Sequence, residues 1–190
     1  VYDKTQRLRR LSGMLADELN INKEKAEIAA SISKSDLSSD LVNEYPDLQG
    51  LMGKYFALSQ GFEEDVSNAV SDHYLPIGTN SITSKKPISY TVAIADKIDT
   101  LVGFFLINEK PTSSKDPFAL RRSAIGLLRT VIDNKLNLKL RNLISYNIKL
   151  FQEQEVIEVN KDAENEILNF FKERMKNILK DKNIKSDIIE

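Results

Sequence analysis

Charged side chains interrupt an otherwise apolar stretch between residues 90 and 129, and they offer the clearest chemistry in the chain. Asp96 and Asp99 lie three residues apart, a spacing that places both carboxylates on one face of a helix. Such a pair can ligate a metal, take part in acid–base catalysis, or pair with neighbouring cations. Pairing with Arg121 or Arg122 is favoured, because an unpaired buried charge costs roughly several kcal/mol.

Four cations lie in and after the loop that follows: Lys110, Lys115, Arg121 and Arg122. Arginine is unusual in the first turns of a helix, because the helix dipole favours cations at the opposite end. Free backbone N–H groups at a helix start attract anions, and guanidinium and ammonium groups bind phosphate oxygens. The pattern predicts a phosphate site, and the alternative is that both arginines pair inward with nearby aspartates.

A second polar cluster, which includes Lys34, Asp36 and Asp40, ends the second predicted helix and by itself indicates an exposed helix terminus. His73, the single histidine, lies at a predicted helix end, where capping or packing is favoured over catalysis. Zero cysteines exclude disulfides, thiolate metal sites and cysteine nucleophiles. The seven glycines are scattered and form no phosphate-binding loop motif.

The formal net charge of −1 conceals an uneven distribution along the chain. Residues 34–76 contain eight acidic and two basic side chains, whereas residues 85–149 contain twelve basic and five acidic ones. A basic half predicts a polyanionic partner, and the alternative is two solvated faces of opposite charge. No membrane span is expected, because Asp96 and Asp99 interrupt the best apolar run.

Apolar spacing predicts helices along the whole chain, and the predicted fold class is therefore all-α, a helical bundle. The predicted helices cover residues 3–19, 22–37, 46–61, 62–74, 89–107, 116–134, 139–153 and 163–180. The helix over residues 89–107 is apolar almost all round, so we expect it at the centre of the fold.

Individual residues mark several predicted helix ends. Asn22, Ser89 and Asp116 are predicted N-caps of the second, fifth and sixth helices. Pro46 suits the first turn of the third helix, and Gly61 is suited to end it. The predicted core face of that third helix consists of Leu48, Leu51, Met52, Tyr55 and Phe56.

Three segments of the chain are together similar to one protein family. They read ALSQGFEEDVSNAVSDHYLP, VAIADKIDTLVGFF and KPTSSKDPFALRRSAIGLLR, and within them DPFALRR and ADKIDTL are the most specific. They resemble the β subunit of the bacterial heterotetrameric glycyl-tRNA synthetase. The resemblance runs from residue 1 to about residue 150 and is weaker over residues 151–190.

The resemblance implies that the chain is a middle piece of a β subunit, which agrees with a start at Val1 rather than Met. It implies an α subunit as partner in an α2β2 complex that attaches glycine to its tRNA in the cytoplasm. The α subunit is expected to hold the catalytic site and the β subunit to bind tRNA. No catalytic residue, metal or cofactor is therefore expected in this segment, and ATP is used by the whole complex.

The middle region of that family resembles the HD-domain superfamily, helical phosphohydrolases whose metal site needs a His, a His-Asp pair and a later Asp. The resemblance implies that Lys34, Asp36, Asp96 and Asp99 are remnants of such a site, with Asp96 as the later Asp. A site that has lost its imidazoles and gained a lysine is not expected to hold a metal.

The expected organisation is a degenerate HD-like domain over residues 1–152, followed over residues 153–190 by a linker and the start of an anticodon-binding region. The expected role is noncatalytic support of tRNA binding and assembly, with phosphate contacts at the four cations of the loop. Two alternatives stay open: a structural spacer or docking platform for the α subunit, and a metal-dependent phosphohydrolase.

Overall fold

The computed structural model describes residues 1–78, 81–112, 115–154 and 160–181. Within these ranges the regular structure is helical, which confirms the all-α prediction. The α-helices are α1 (Tyr2–Leu19), α2 (Lys23–Ile32), α3 (Asp40–Glu44), α4 (Leu51–Ser59), α5 (Glu64–Asp72), α6 (Pro87–Leu106), α7 (Leu120–Asp133), α8 (Leu140–Glu153) and α9 (Ala163–Asp181). Two short 3-10 helices, Ser35–Ser38 and Pro46–Leu48, flank α3.

The helix α6 lies at the centre of the bundle, as its composition predicts. It packs against α1, α2, α5, α7, α8 and α9. Ile94, Ile98 and Leu101 are completely buried, and burial of each such side chain stabilises the fold by about 1.5–3 kcal/mol. No helix in the described ranges is both long and apolar enough to cross a membrane.

The second predicted helix is shorter than the apolar spacing indicated. Asn22 caps it as predicted, because its side chain accepts a hydrogen bond from the backbone N–H of Lys25 at 3.0 Å. The helix ends at Ile32, however, and the prediction that it continues to residue 37 is wrong. The hydroxyls of Ser33 and Ser35 bond back to carbonyls of the preceding turn, a local alternative to the helical pattern.

The third predicted helix is also divided, and of its predicted core face Leu48, Met52 and Phe56 are half-buried whereas Leu51 and Tyr55 are exposed. A 3-10 turn covers Pro46–Leu48, and α4 begins only after Gly50, whose φ of 79° interrupts the helix. The residues of α4 that are buried are Gly53 and Ala57. A Cβ on Gly53 would lie 2.7 Å from a methyl of Val70, so α4 approaches α5 too closely for larger side chains to face inward.

Two predicted N-caps take different roles in the structure. The helix α6 begins at Pro87, and Ser89 lies buried inside it, where its hydroxyl donates to Asp72 at 3.2 Å. The helix α7 begins at Leu120, four residues after Asp116. The carboxylate of Asp116 nevertheless accepts hydrogen bonds from the N–H groups of Leu120 at 2.8 Å and Arg121 at 3.0 Å. The N-cap position itself is taken by Ala119, so the predicted N-cap and the predicted start are both wrong, although Asp116 satisfies two N–H groups of the first turn.

The last helix contributes to the same core as the rest of the chain. Ile167, Phe170 and Phe171 of α9 are buried in the hydrophobic cluster that contains α6, and α9 packs against α6, α7 and α8. The boundary placed at residues 152 and 153 stays a prediction, and residues 155–159 beside it lie outside the described residues.

Candidate functional site

Four charged or titratable side chains meet inside the bundle, and we call them the buried charge cluster: Lys4, Lys34, His73 and Asp96. Lys34 follows the end of α2, His73 ends α5, and Asp96 lies in the middle of α6. The Nζ atom of Lys34 lies 2.7 Å from Nε2 of His73 and 3.0 Å from Oδ2 of Asp96. Lys4 of α1 approaches the other carboxylate oxygen of Asp96 at 2.9 Å.

The neighbours of His73 determine its protonation state. Burial, together with the positive charge of Lys34, lowers the pKa of His73 to about 3. A neutral imidazole has one donor nitrogen and one acceptor nitrogen. Because the ammonium of Lys34 can only donate, Nε2 of His73 accepts, and Nδ1 carries the hydrogen that it donates to the carbonyl of Val70 at 2.8 Å.

Opposite charges keep Asp96 ionised in spite of its burial. Burial by itself raises the pKa of this carboxyl, but the ammonium groups of Lys4 and Lys34 together hold the pKa far below its usual range. Burial lowers the pKa of Lys34 in turn, and it lowers that of Lys97 to about 8. Lys97 donates to the carbonyls of His73 at 3.1 Å and Leu75 at 2.8 Å. The cluster therefore contains two cations, Lys4 and Lys34, around one carboxylate, and Lys97 lies beside it.

Asp99 pairs with Arg7 of α1, and the Nζ atom of Lys4 lies 3.8 Å from its Oδ2 atom. The guanidinium binds the carboxylate through two hydrogen bonds, Nε to Oδ1 at 2.7 Å and Nη2 to Oδ2 at 3.0 Å. The predicted pairing of the two aspartates with Arg121 or Arg122 is therefore wrong. The partners come from α1 and from the end of α2, which pack against the face of α6 that bears both carboxylates.

Asp36 is fully buried and holds the chain before α4 in place. Its Oδ2 atom accepts a hydrogen bond from the backbone N–H of Gly50 at 2.6 Å. Its Oδ1 atom has no hydrogen-bond partner among the described residues. The predicted remnants Lys34, Asp36 and Asp96 thus lie in one region of the fold, whereas Asp99 is occupied by Arg7.

The chemistry of these side chains does not fit a catalytic metal ion. Lys34 places a fixed positive charge against Nε2 of His73 and Oδ2 of Asp96, the two atoms that a metal would need as ligands. A divalent ion at the same place would meet direct repulsion from the ammonium. No group of three or more His, Cys, Asp or Glu side chains in the described ranges could hold a metal ion.

A cavity of about 480 Å³ opens above the buried charge cluster. Its lining includes Asp96, Lys97 and Thr100 of α6, together with Tyr74 and Arg122. A second cavity, of about 370 Å³, follows α7 and is lined by three arginines and by the capping carboxylate: Arg121, Arg122, Arg129 and Asp116. Pro76 and Arg122 line both cavities. We call the two together the α7 groove.

The four cations predicted to bind phosphate have different environments. Lys110 pairs with Glu166 of α9 at 2.6 Å, and Arg121 donates to the backbone carbonyl of Thr112. Lys115 and Arg122 are exposed, and neither has a carboxylate at ion-pair distance among the described residues. The loop residues 113 and 114 lie outside the described residues.

The helix start itself is not a free anion site. Asp116 already occupies the N–H groups of Leu120 and Arg121, so the argument that free backbone N–H groups attract a phosphate here is wrong. An anion in the α7 groove would be bound by side chains, above all by Arg122. The four predicted cations are therefore not equivalent, and Lys110 is the one most engaged inside the protein.

Sequence reasoning did not find three of the charged or titratable side chains that meet in the interior, namely Lys4, Arg7 and His73. Lys4 and Arg7 continue the core-facing positions of α1, in register with Leu8 and Leu11, and cations at core positions are a usable signal. His73 likewise falls three residues after Val70, on the buried face of α5. The long-range contacts with Asp96 could not be inferred from such local spacing.

Comparison with known proteins identifies the family. The family model described as "Glycyl-tRNA synthetase beta subunit" matches residues 1–190. The chain is 40% identical over 187 residues to the glycine–tRNA ligase beta subunit of Ruegeria sp. (strain TM1040), which covers 98% of this chain and 26% of that protein. The identity to the beta subunit of Clostridioides difficile (strain 630) is 40% over 197 residues, which cover 100% of this chain and 28% of that protein. The identity to the Colwellia psychrerythraea beta subunit is 41% over 187 residues, which cover 98% of this chain and 27% of that protein.

The chain therefore spans about a quarter of the length of the curated relatives that it matches. The match nevertheless extends over the whole chain, at an identity that is high enough to establish common descent. The chain belongs to the glycyl-tRNA synthetase beta subunit family.

Proposed function

We propose that the chain is a noncatalytic helical module of the β subunit of a glycine–tRNA ligase, and that it binds the glycine tRNA. The relatives are named as beta subunits of this ligase. In this proposal the module works with an α subunit, in an α2β2 complex in the cytoplasm, and the complex uses ATP to attach glycine to tRNA.

The observation that carries the proposal is the position of Arg122 in the α7 groove. Its guanidinium is exposed and lines both cavities, and no described carboxylate pairs with it. A guanidinium binds two phosphate oxygens at once, a geometry that suits a nucleic-acid backbone. Arg121, Arg129 and Lys97 add positive charge along the same groove.

The buried charge cluster supports the noncatalytic part of the proposal. Lys34 occupies the space between the imidazole and the carboxylate, where a phosphohydrolase would need a metal ion. His73 is completely buried, and its Nε2 atom already accepts a hydrogen bond, so it is not available to a substrate in the cavity. A structural role for these residues agrees with both facts.

Arg122→Ala in the full-length β subunit, assembled with its α subunit, tests the proposal. We expect weaker tRNA binding, by severalfold for one phosphate contact, and a salt dependence whose slope falls by about 1 per lost contact. Lys115→Ala is expected to add to this effect. The measurement is the equilibrium binding of glycine tRNA between about 50 and 200 mM salt.

Lys110→Ala is the matched control, because it removes a nearby cation that already pairs with Glu166. It should leave the salt slope close to that of the unmodified protein. Unchanged tRNA affinity and unchanged slope in the correctly folded double variant of Lys115 and Arg122 would remove the groove from tRNA binding.

A second candidate function is a platform for another protein, which is supported by the exposed apolar side chains of α4. This surface and the α7 groove use different residues. The two functions are therefore compatible within one module.

A further inference from the structure

The helix α4 exposes three of its large apolar side chains, half-buries Met52 and Phe56, and fully buries only its small residues. Gly53 and Ala57 are the buried residues and face α5. Leu51, Tyr55 and Leu58 are 45%, 55% and 38% exposed. They follow the i, i+4, i+7 pattern, which places them in one stripe along the helix. Single exposed apolar residues are ordinary, but a stripe along two turns is the feature of a surface that another protein covers.

The apolar stripe has a counterpart on the preceding helix. Leu41 and Tyr45 are 37% and 52% exposed, and they lie one turn apart at the two ends of α3. The 3-10 turn Pro46–Leu48 connects α3 to α4. We call the following five residues the α3–α4 face: Leu41, Tyr45, Leu51, Tyr55 and Leu58. Two of the five are tyrosines, a residue type that is enriched among the energetically dominant residues of interfaces.

The charges in this segment indicate what kind of partner fits. Asp40, Glu44 and Asp47 are exposed, and Lys54 is the only basic residue between positions 40 and 60. A second copy of the same face would bring like charges together, and like-charge contacts oppose association. A partner with Lys or Arg beside its apolar surface would instead meet complementary charge.

We propose that the α3–α4 face binds an amphipathic helix of a partner protein, a helix whose apolar side is bordered by Lys and Arg. Its apolar side chains would cover Leu51, Tyr55 and Leu58, and its cations would meet Asp40 and Glu44. A helix laid along an apolar stripe is a common mode of recognition. None of the five residues of the face lines the α7 groove, whereas Pro46, Asp47 and Gln49 of the connection between α3 and α4 do, so the two surfaces adjoin but use different side chains.

Site-specific photo-crosslinking tests this inference, which rests on the proposed function only in that the partner is sought within the assembled synthetase. Tyr55 is replaced by the photoreactive p-benzoylphenylalanine in the full-length β subunit, and the purified complex is irradiated. The same replacement at Ile82, which is 75% exposed and outside the face, is the control. Mass spectrometry then identifies the crosslinked peptide.

The expected result is a crosslink from position 55 to a helical segment of a different polypeptide, with Lys or Arg on the borders of its apolar side. A crosslink to a second copy of the α3–α4 face, to tRNA, or to an acidic segment would overturn the proposal. A crosslink yield at position 55 that does not exceed the crosslink yield at position 82 would also overturn the proposal.

Substitutions within the face provide an independent readout. Leu51→Glu combined with Leu58→Glu should lower the yield of the crosslink by about tenfold, because a charge would be buried against an apolar side. Asp40→Lys combined with Glu44→Lys should lower it severalfold, and more strongly at low salt. All four residues are exposed, so the fold should be retained, and circular dichroism checks that it is.

Ile82→Glu is the matched control and should leave the yield unchanged. A yield that is unaffected by all of the face substitutions would contradict the proposal. The affinity of the variant Leu51→Glu with Leu58→Glu for tRNA should stay close to its original value, whereas the charge reversal at Asp40 and Glu44 should strengthen non-specific binding of tRNA. A failure of the docking surface is thereby distinguished from a failure of the tRNA-binding proposal.

Discussion

Each ionisable group of the buried charge cluster has its protonation state determined by the residue beside it. Lys34 keeps Asp96 ionised, Asp96 opposes the loss of a proton from Lys34, and the ammonium opposes the protonation of His73. The three side chains therefore act as one unit, in which a change of charge at one position alters the other two. Their mutual dependence makes His73 a sensitive reporter of the whole cluster.

We expect acid to destabilise the protein through His73 before most carboxylates titrate. The imidazole binds a proton near pH 6.5 in the unfolded chain but only near pH 3 in the folded one. The unfolded state thus binds more protons between these values, so stability falls as the pH falls through this window. The free energy of unfolding should fall by about 1.4 kcal/mol for each pH unit below pH 6. Urea unfolding at several pH values between 7 and 5 measures this slope.

His73→Gln is the control for this assignment, because the chain contains a single histidine. The variant should be less stable at pH 7, since Lys34 loses its closest acceptor, but its stability should be nearly independent of pH between 7 and 5. A slope as steep as that of the unmodified protein would show that another group titrates in this window.

At the scale of helices, the start of α7 shows how one side chain determines both local stability and the surface that faces a ligand. Asp116 satisfies two N–H groups and adds a negative charge at the positive end of the helix dipole. The same contact leaves Arg121 and Arg122 as the donors at this end of the α7 groove. The carboxylate is thus a structural element of the groove and not a ligand.

Asp116→Ala should therefore destabilise the protein by about 1 kcal/mol, the usual cost of losing a helix cap. In a chain of this size, that corresponds to a fall in Tm of about 2–4 °C, measured by thermal unfolding at neutral pH. Asp116→Asn is the matched variant and should lose less than half as much, because the amide oxygen can still accept one of the two hydrogen bonds. Equal losses in both variants would indicate that charge, and not the hydrogen bonds, dominates.

At the scale of the whole molecule, α1 connects distant parts of the chain through two cations. Arg7 bonds Asp99 of α6 and also the side chain of Gln154, after α8, at 2.6 Å. It also packs over the ring of Phe151, with 3.8 Å between the guanidinium carbon and the ring centre. Lys4 reaches Asp96 and Thr100 on the same helix α6. The first helix thereby links the central helix to the last third of the chain.

Arg7→Met should accordingly destabilise the protein by up to about 3–5 kcal/mol, because buried Asp99 loses both hydrogen bonds from the guanidinium and keeps only Lys4, at 3.8 Å. The double variant Arg7→Met with Asp99→Leu should recover a large part of this loss, since both charges are then absent. Urea unfolding of the two single variants and the double variant gives the coupling free energy. A double variant whose loss equals the sum of the two single losses would mean that the pair contributes no interaction of its own.

Local signals predicted the helices well, and they failed where the outcome depends on contacts between helices. Asn22 and the apolar pattern of α6 could be interpreted from adjacent residues. Lys34 and His73, by contrast, are 39 residues apart, and no spacing along the sequence relates them.

The division of the third predicted helix had a similar cause. Gly50 has a positive φ, and Gly53 lies so close to Val70 that Leu51, Tyr55 and Leu58 of α4 lie on the outside. Apolar composition alone favours a buried face, so the exposed stripe could be recognised only after α4 had been placed against α5. The assignment of Arg121 and Arg122 as partners of the aspartates failed for the same reason, since it depended on which helix faces α6.

The cation in the centre of the buried charge cluster is covalently part of the polypeptide. A metal ion is exchanged with the solution, competes with other metals and is removed by chelators, whereas the ammonium of Lys34 is present once in every molecule. Its occupancy does not vary with dilution or with the supply of ions in the cell. His73 and Asp96 are therefore held together by a cation that is made with the chain itself.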